Sequence, residues 1–322
     1  MFVGAIILFF FVSFGLKYKA NAEVGLALTT VNQLDRVLTS ASVSSQTSTK
    51  ITLPKQKLIF SCDAEACTSQ GCSSSIILFT PNGEGVSRDV SMLPIFSPKN
   101  MKGEEVTTMT LLWKYPFTIS NLVYLIPDNI RIYIDINDND ETLIDLNKLL
   151  RNFNISAYPY TSNVQFPDGI KAKIITKDPE VLSVTSSASQ TLRGNIDVFV
   201  IKSDREISTS TGSTVFFDIP TLLGVILSEN TDMYECNMKK AVIKYGNVQQ
   251  IYERRVAELD HELSRLRSER GRGLQCTYQY DSLPIQSIQN NLVDIKTTLD
   301  SNKREYERMN ENELRRSCPV MY

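Results

Sequence analysis

The sequence predicts an α+β (or α/β) protein with a long N-terminal membrane helix, a mixed β-rich middle domain and a C-terminal antiparallel helical hairpin. Three observations predict it. Residues Met1 to Leu16 carry no charged side chain. Short apolar runs bounded by turn residues fill the middle of the chain. Beyond Cys236, apolar residues recur at steps of three and four. At 322 residues the chain exceeds the usual domain of about 100–200 residues. It divides into 1–45 (anchor and amphipathic stalk), 50–232 (mixed α/β domain) and 233–322 (disulfide-linked helical hairpin).

The apolar run of residues 1–16 spans about 24 Å as a helix, against roughly 30 Å of hydrocarbon in a bilayer. Lys17 and Lys19 follow it, whereas a cleaved signal peptide has its basic residues first. Ala20-Asn21-Ala22 has the form of a cleavage site, but helical spacing continues past it through Val24, Leu28, Val31, Leu34 (or Asp35 on the strict repeat) and Leu38. One long helix is therefore expected, ended by the serine and threonine run Thr39 to Thr49. The two lysines by themselves favour a cytoplasmic C-terminal side. Six cysteines and the sequon Asn154-Ile155-Ser156 favour the opposite side, with Asn154 a glycosylation candidate.

In the middle, Lys57–Phe60 and Ser75–Phe79 read as strands around a cysteine cluster, with a turn at Pro81–Gly85. The spacing Gly83-Glu84-Gly85 lacks the third glycine and the Gly-Lys-Ser/Thr ending of a phosphate loop. Strands follow at 122–126 and 130–134, a helix at 141–153 on Leu143, Leu146, Leu149 and Leu150, and further strands at 170–175, 196–201 and 214–218. The unbroken apolar run Val198–Ile201 predicts a central strand covered on both faces. The segment Asp135–Glu141 has the oxygen density of a calcium loop, but Asp140 and Leu146 stand where an EF-hand needs glycine and glutamate. Asp138, three residues before Glu141, makes helix capping the better reading.

The C-terminal part predicts one helix on Val242, Tyr245, Val248, Tyr252, Val256, Leu259, Leu263 and Leu266. A second follows on Ile288, Leu292, Ile295, Leu299, Asn302, Tyr306 and Met309, the seam of a coiled coil. Gly271-Arg-Gly273 separates them. Such a hairpin brings Cys236 near Cys318, where a bridge across its base is expected; three bridges would then require Cys276 to join Cys62, Cys67 or Cys72, and otherwise two cysteines stay free. The spacing C-x4-C-x4-C and the single histidine, His261, favour disulfides over zinc. No metal or cofactor is expected.

The runs Leu93-Pro-Ile-Phe-Ser-Pro98, Leu112-Trp-Lys-Tyr-Pro-Phe117, Ser120-Asn-Leu-Val-Tyr-Leu125 and Met233-Tyr-Glu-Cys-Asn-Met238 resemble membrane-anchored proteins of small-genome archaea, a group with no assigned activity. The N-terminal helix is similar to that of type IV pilin-like proteins, which implies packing beside other copies or other pilins. The resemblance implies a single-pass cell-membrane protein with most of the chain extracytoplasmic.

With 34 basic and 36 acidic residues, nothing favours nucleic acid as a partner. No catalytic residue is assigned, because H-E-x-x-H, Walker and G-x-S-x-G motifs are absent. The expected function is a structural or interaction protein, a pilin-like or envelope-complex subunit. It is held to the membrane by residues 1–16 and to itself or a partner through its helical segments. The alternative is a ligand-binding or carboxylate-based hydrolytic domain.

Overall fold

The computed structural model describes residues 2–44, 46–53, 56–102, 105–135, 140–161, 164, 166, 167, 169–181, 196–202, 205–270, 291–315 and 318. The first element, α1 (Phe2–Val43), is one unbroken helix. Its seat on the body is the row Ala27, Val31, Leu34 and Leu38, all 8 % exposed or less. These positions step by four, three and four along one helical face. The stripe predicted from sequence differs at two places: Val24 is only half-buried, and Leu28 is 49 % exposed, the smaller Ala27 turning inward instead.

Among the described residues no helix is long and apolar enough to cross a membrane. This corrects the expected membrane anchor, the single-pass placement at the cell membrane and the membrane partner assigned to residues 1–16. The physical reason is length and composition. The apolar run is too short for the hydrocarbon layer, and Lys17, Lys19 and Glu23 follow it within two turns.

Two four-stranded sheets receive α1. One has the order β1 (Ser48–Thr52), β7 (Glu105–Lys114), β8 (Thr118–Pro127), β5 (Ile95–Phe96). The other has the order β4 (Gly85–Asp89), β3 (Gly71–Phe79), β2 (Lys57–Thr68), β6 (Asn100–Lys102). Their facing side chains, Val106, Val123 and Leu125 from the first and Leu58, Phe60, Ile76 and Leu78 from the second, close with α1 on a single core. The turn predicted at 81–85 is present, with Gly83 at φ 87°, a conformation glycine adopts without steric penalty.

β8 shows how the layers join. Val123 and Leu125 face the α1 core, while Leu122, Tyr124 and Ile126 point to a second, larger core on the opposite face. Period-two alternation on a strand buried on both sides requires this. The larger core is covered by α2 (Glu141–Asn152), α3 (Ile219–Leu227), α4 (Thr231–Arg270) and α5 (Leu292–Arg315). It also takes in one face of a six-stranded sheet. That sheet runs β10 (Ala157–Pro159), β9 (Ile130–Ile134), β11 (Lys171–Thr176), β12 (Ile196–Ile201), β13 (Glu206–Thr209), β14 (Gly212–Val215). Its first four strands are parallel and its last two pairings antiparallel. On β12, Phe199 and Ile201 enter the larger core and Val198 and Val200 a third one, so this strand is covered on both faces as its sequence predicted.

Among the described residues the fold is thus a mixed α/β arrangement of three sheets, and the expected C-terminal helical hairpin is corrected. α4 is a single helix of 40 residues whose first turns dock on β2 and β3. α5 packs on β14 and on the larger core. Residues 271–290 lie outside the described residues, as does Cys276. The seam read for α5 is buried from Leu292 to Met309, Asn302 included. Phe117 stacks on Tyr245 and Tyr252 of α4 (centroids 5.3 and 4.6 Å) and meets Tyr306 of α5 edge-on (5.2 Å). A strand-end aromatic ring, with its rich contact area, therefore packs against both helices.

Candidate functional site

The densest chemistry lies where α4 meets the β2–β3 hairpin. Cys67 and Cys72 are cross-strand partners one step from the two-residue turn, with Cα atoms 3.9 Å apart, and are bonded to each other. A register shift in β2 between Cys62 and Cys67 bends the strand. Cys62 is bonded to Cys236 in the second turn of α4, 174 residues away. The expected Cys236–Cys318 bridge is therefore corrected. Cys236 faces the hairpin and not α5, because the first turns of α4 carry Cys236, Asn237 and Lys240 toward β2 and β3. Cys318 is disulfide-bonded as well. Cross-links of this kind persist in oxidising surroundings.

The two bonds are neighbours. The sulfurs of Cys67, Cys72 and Cys236 all lie within 4.8 Å of one another, and these three residues are 2 %, 1 % and 0 % exposed. Among the described residues this is the one grouping of three or more Cys, His or carboxylate side chains close enough to share an ion. Ile243 and Ala64 pack against it.

Two buried lysines of α4 border the cysteines. Lys239 donates to the Ala64 carbonyl at 3.0 Å. Lys240 donates to the carbonyls of Val90 (3.3 Å) and Leu93 (3.0 Å) and to Asn237 Oδ1 (3.1 Å). That same amide oxygen accepts the Ile95 backbone N–H at 3.1 Å and lies 3.9 Å from Cys62 Sγ. Both ammonium groups donate to neutral oxygens. Burial drives the Lys240 pKa down to about 7, with Asp89 opposing and Lys244 adding to the shift. Neither lysine was singled out by sequence, since a Lys-Lys pair on a helix is ordinarily solvated surface.

A second locality is a cleft of about 490 Å³ lined by Tyr115, Arg205, Lys296, Asp300, Lys303, Arg304 and Glu307. The Tyr115 hydroxyl donates to Asp300, and the Lys303 ammonium lies 5.0 Å from the centre of the Tyr115 ring. Arg205 has φ 62°, a left-handed conformation costly for a side chain of this size, and donates to the Phe217 carbonyl. Desolvation lifts the nearby Asp218 carboxyl to about 6, against hydrogen bonds from Thr221 and the fields of Arg205 and Lys303. The cleft carries four cations to two carboxylates and suits a small anion.

The remaining sequence candidates have structural work. Asp140 is the N-cap of α2, accepting from Leu143 N at 3.2 Å and pairing with Lys177. Burial raises its pKa, but the Lys177 and Leu143 hydrogen bonds outweigh that and hold it below the usual value. Capping is thus the role of this acidic segment, through Asp140. Asp138, the cap expected from sequence, lies outside the described residues. Asp135 accepts from the Thr176 hydroxyl at 3.0 Å. Asn154 is exposed and sits at φ 56° just past α2. There its N–H reaches the Arg151 carbonyl and the Ile155 N–H reaches that of Leu150, a Schellman closure. His261 is exposed on α4. Searches against protein-family models, curated proteins and solved structures return no match for this chain.

Proposed function

We propose that the protein is a structural and interaction subunit, pilin-like in the use of its first helix, and not an enzyme. One observation carries this reading: α1 is a 42-residue helix, about 63 Å long, and among its described side chains the buried row runs from Ala27 to Leu38. Tyr18 is 72 % exposed, and Leu26 and Leu28 (61 % and 49 %) leave apolar surface on the faces turned from the body. Beyond them the sequence of Phe2 to Leu16 is apolar. A helix of that composition gains by packing against another apolar helix, and a second copy of this chain supplies one.

The test is the mass in solution of the full chain by light scattering, with a photo-crosslinking residue in place of Leu26. Self-association with crosslinks between copies, both lost on replacing Leu26 and Leu28 by glutamate, is expected. A monomer at every concentration, with no crosslink, overturns the proposal. A second reading, binding of a small anion, is favoured by the cleft around Arg205 and Lys303. An increase in melting temperature with inorganic phosphate or a dicarboxylate, absent in Lys303→Ala, supports it; no shift with any anion retires it.

A further inference from the structure

We propose that Cys62, Cys67, Cys72 and Cys236 form, when reduced, a tetrathiolate site for one zinc ion, so that this junction has an oxidised and a metal-bound form. Two independent observations lead there. The first is the placement of the sulfurs. Zinc held by four cysteines at about 2.3 Å puts its sulfurs about 3.8 Å apart. Three of the four already lie within 4.8 Å of one another, and the fourth, on Cys62, is bonded to one of those three. Opening each bonded pair and drawing the pairs together requires shifts of an ångström or two, within reach of side-chain rotation.

The second observation is charge. Buried cations are ordinarily paired with anions, because removing a charge from water costs several kcal/mol. Lys240 is 1 % exposed and Lys239 6 %, yet the oxygens that receive them are carbonyls and one amide. Disulfides are neutral, and the carboxylates that act on these ammonium groups, Asp89 on Lys240 and Glu235 on Lys239, make no direct ion pair with them. A zinc tetrathiolate carries a net charge of −2 and supplies a counter-charge.

The conversion balances. Each disulfide accepts two electrons and two protons from a dithiol, which is itself oxidised to a disulfide, and yields two thiols. Zinc then displaces the four thiol protons. Cys62, partly exposed where the other three are buried, is the point of entry for the reductant. Sequence inspection missed the site because three ligands are spaced C-x4-C-x4-C and the fourth comes from 164 residues beyond Cys72.

The experiment uses the full chain made in a reducing cytoplasm, isolated with reductant under inert gas, and measured for metal by mass spectrometry. A parallel sample is loaded with cobalt for its absorption spectrum. Expected are one zinc per chain and the intense visible bands of tetrahedral cobalt with thiolate-to-metal charge transfer. Both are expected to vanish in Cys62→Ser/Cys236→Ser and to persist in Cys276→Ser/Cys318→Ser, with circular dichroism showing each variant folded. A folded reduced protein without stoichiometric metal overturns the proposal. So does metal retained by the Cys62→Ser/Cys236→Ser variant, or a reduced chain that stays unfolded when zinc is added.

Discussion

Lys173 and Lys240 are each 1 % exposed, and the structure treats them differently. Lys173 stands on β11 directly opposite Asp197 of β12 in the parallel register, and its ammonium lies 3.3 Å from that carboxylate and 3.4 Å from the Ser228 carbonyl. Its ammonium also lies 5.2 Å from the centre of the Phe199 ring. Lys240, on a helix against a hairpin, has only neutral oxygens around its nitrogen. Burial lowers both pKa values, to about 8 for Lys173 and about 7 for Lys240. A strand register fixes a partner at a set distance, so the sheet lysine comes with its carboxylate. The helical lysine was buried by the docking of α4, which put no carboxylate in ion-pair contact with it, Asp89 acting only through space.

The largest way to disturb this contrast is to release the junction around Lys240. Cys62→Ser/Cys236→Ser opens a loop of 174 residues, for which chain entropy predicts a loss of about 5 kcal/mol. Cys67→Ser/Cys72→Ser opens one of 5 residues, with about 2 kcal/mol expected. Urea unfolding without reductant measures both. Equal losses would mean that packing of the hairpin, and not the long-range tie, secures α4.

Next in size is removal of a partner. Asp197→Asn leaves the Lys173 ammonium buried without its carboxylate and takes one of two from Lys171, whose other is Glu229 at 3.5 Å. A loss of about 3 kcal/mol is expected. Lys240→Met, which removes a buried charge that has no ion pair, is expected to be neutral or stabilising by about 1 kcal/mol. Both follow from the same unfolding curves. If Lys240→Met cost as much as Asp197→Asn, the neutral oxygens would be holding the ammonium as well as a carboxylate does.

The pH dependence sharpens the pair further. The folded pKa of Lys240, about 7, lies below the unfolded value of about 10.4. Between these limits the unfolded chain binds the extra proton, so stability rises with pH, by up to about 1.4 kcal/mol per unit. Burial is the main cause of the folded value, with the charged neighbours Asp89 opposing it and Lys244 adding to it. Lys173 contributes in the same direction but begins near pH 8. Melting temperature is therefore expected to climb from pH 7 to 9, and Lys240→Met to delay the climb to about pH 8. A wild-type protein whose stability is flat over this range would place Lys240 in contact with water.

What the sequence made legible follows the same division. The both-faces burial of Val198–Ile201, the α5 seam from Leu292 to Met309 and the seat of α1 around Val31 and Leu38 are periodic signals, and the structure carries them. The cysteine junction is not periodic. Nothing in C-x4-C-x4-C announces Cys236, and the hairpin reading paired that residue with Cys318 because it assumed that α4 faces α5 at its start. Lys173 was half legible: Lys171 and Lys173 alternate with Ala172 and Ile174 in a strand, where period two puts both on one face. That this face is covered depends on Asp197 and Ser228, which are distant in sequence. The likeness of α1 to a membrane anchor rested on composition, and the described helix does not meet the length and hydropathy that a span requires.

The smallest expected effect concerns the ion pair at the edge of the α1 seat. Arg88 of β4 donates to Asp35 of α1 at 3.2 Å, with side chains 54 % and 20 % exposed. Water screens such a pair, and a double-mutant cycle of Arg88→Ala with Asp35→Ala is expected to give about 0.2–1 kcal/mol, falling with added salt. The seat of α1 then depends on Ala27, Val31, Leu34 and Leu38, and Leu38→Ala alone is expected to cost more than the whole pair. A coupling above about 2 kcal/mol that persists in high salt would reverse this order. It would make α1 an element positioned by charge, as Lys173 is, and not by the burial of its apolar row.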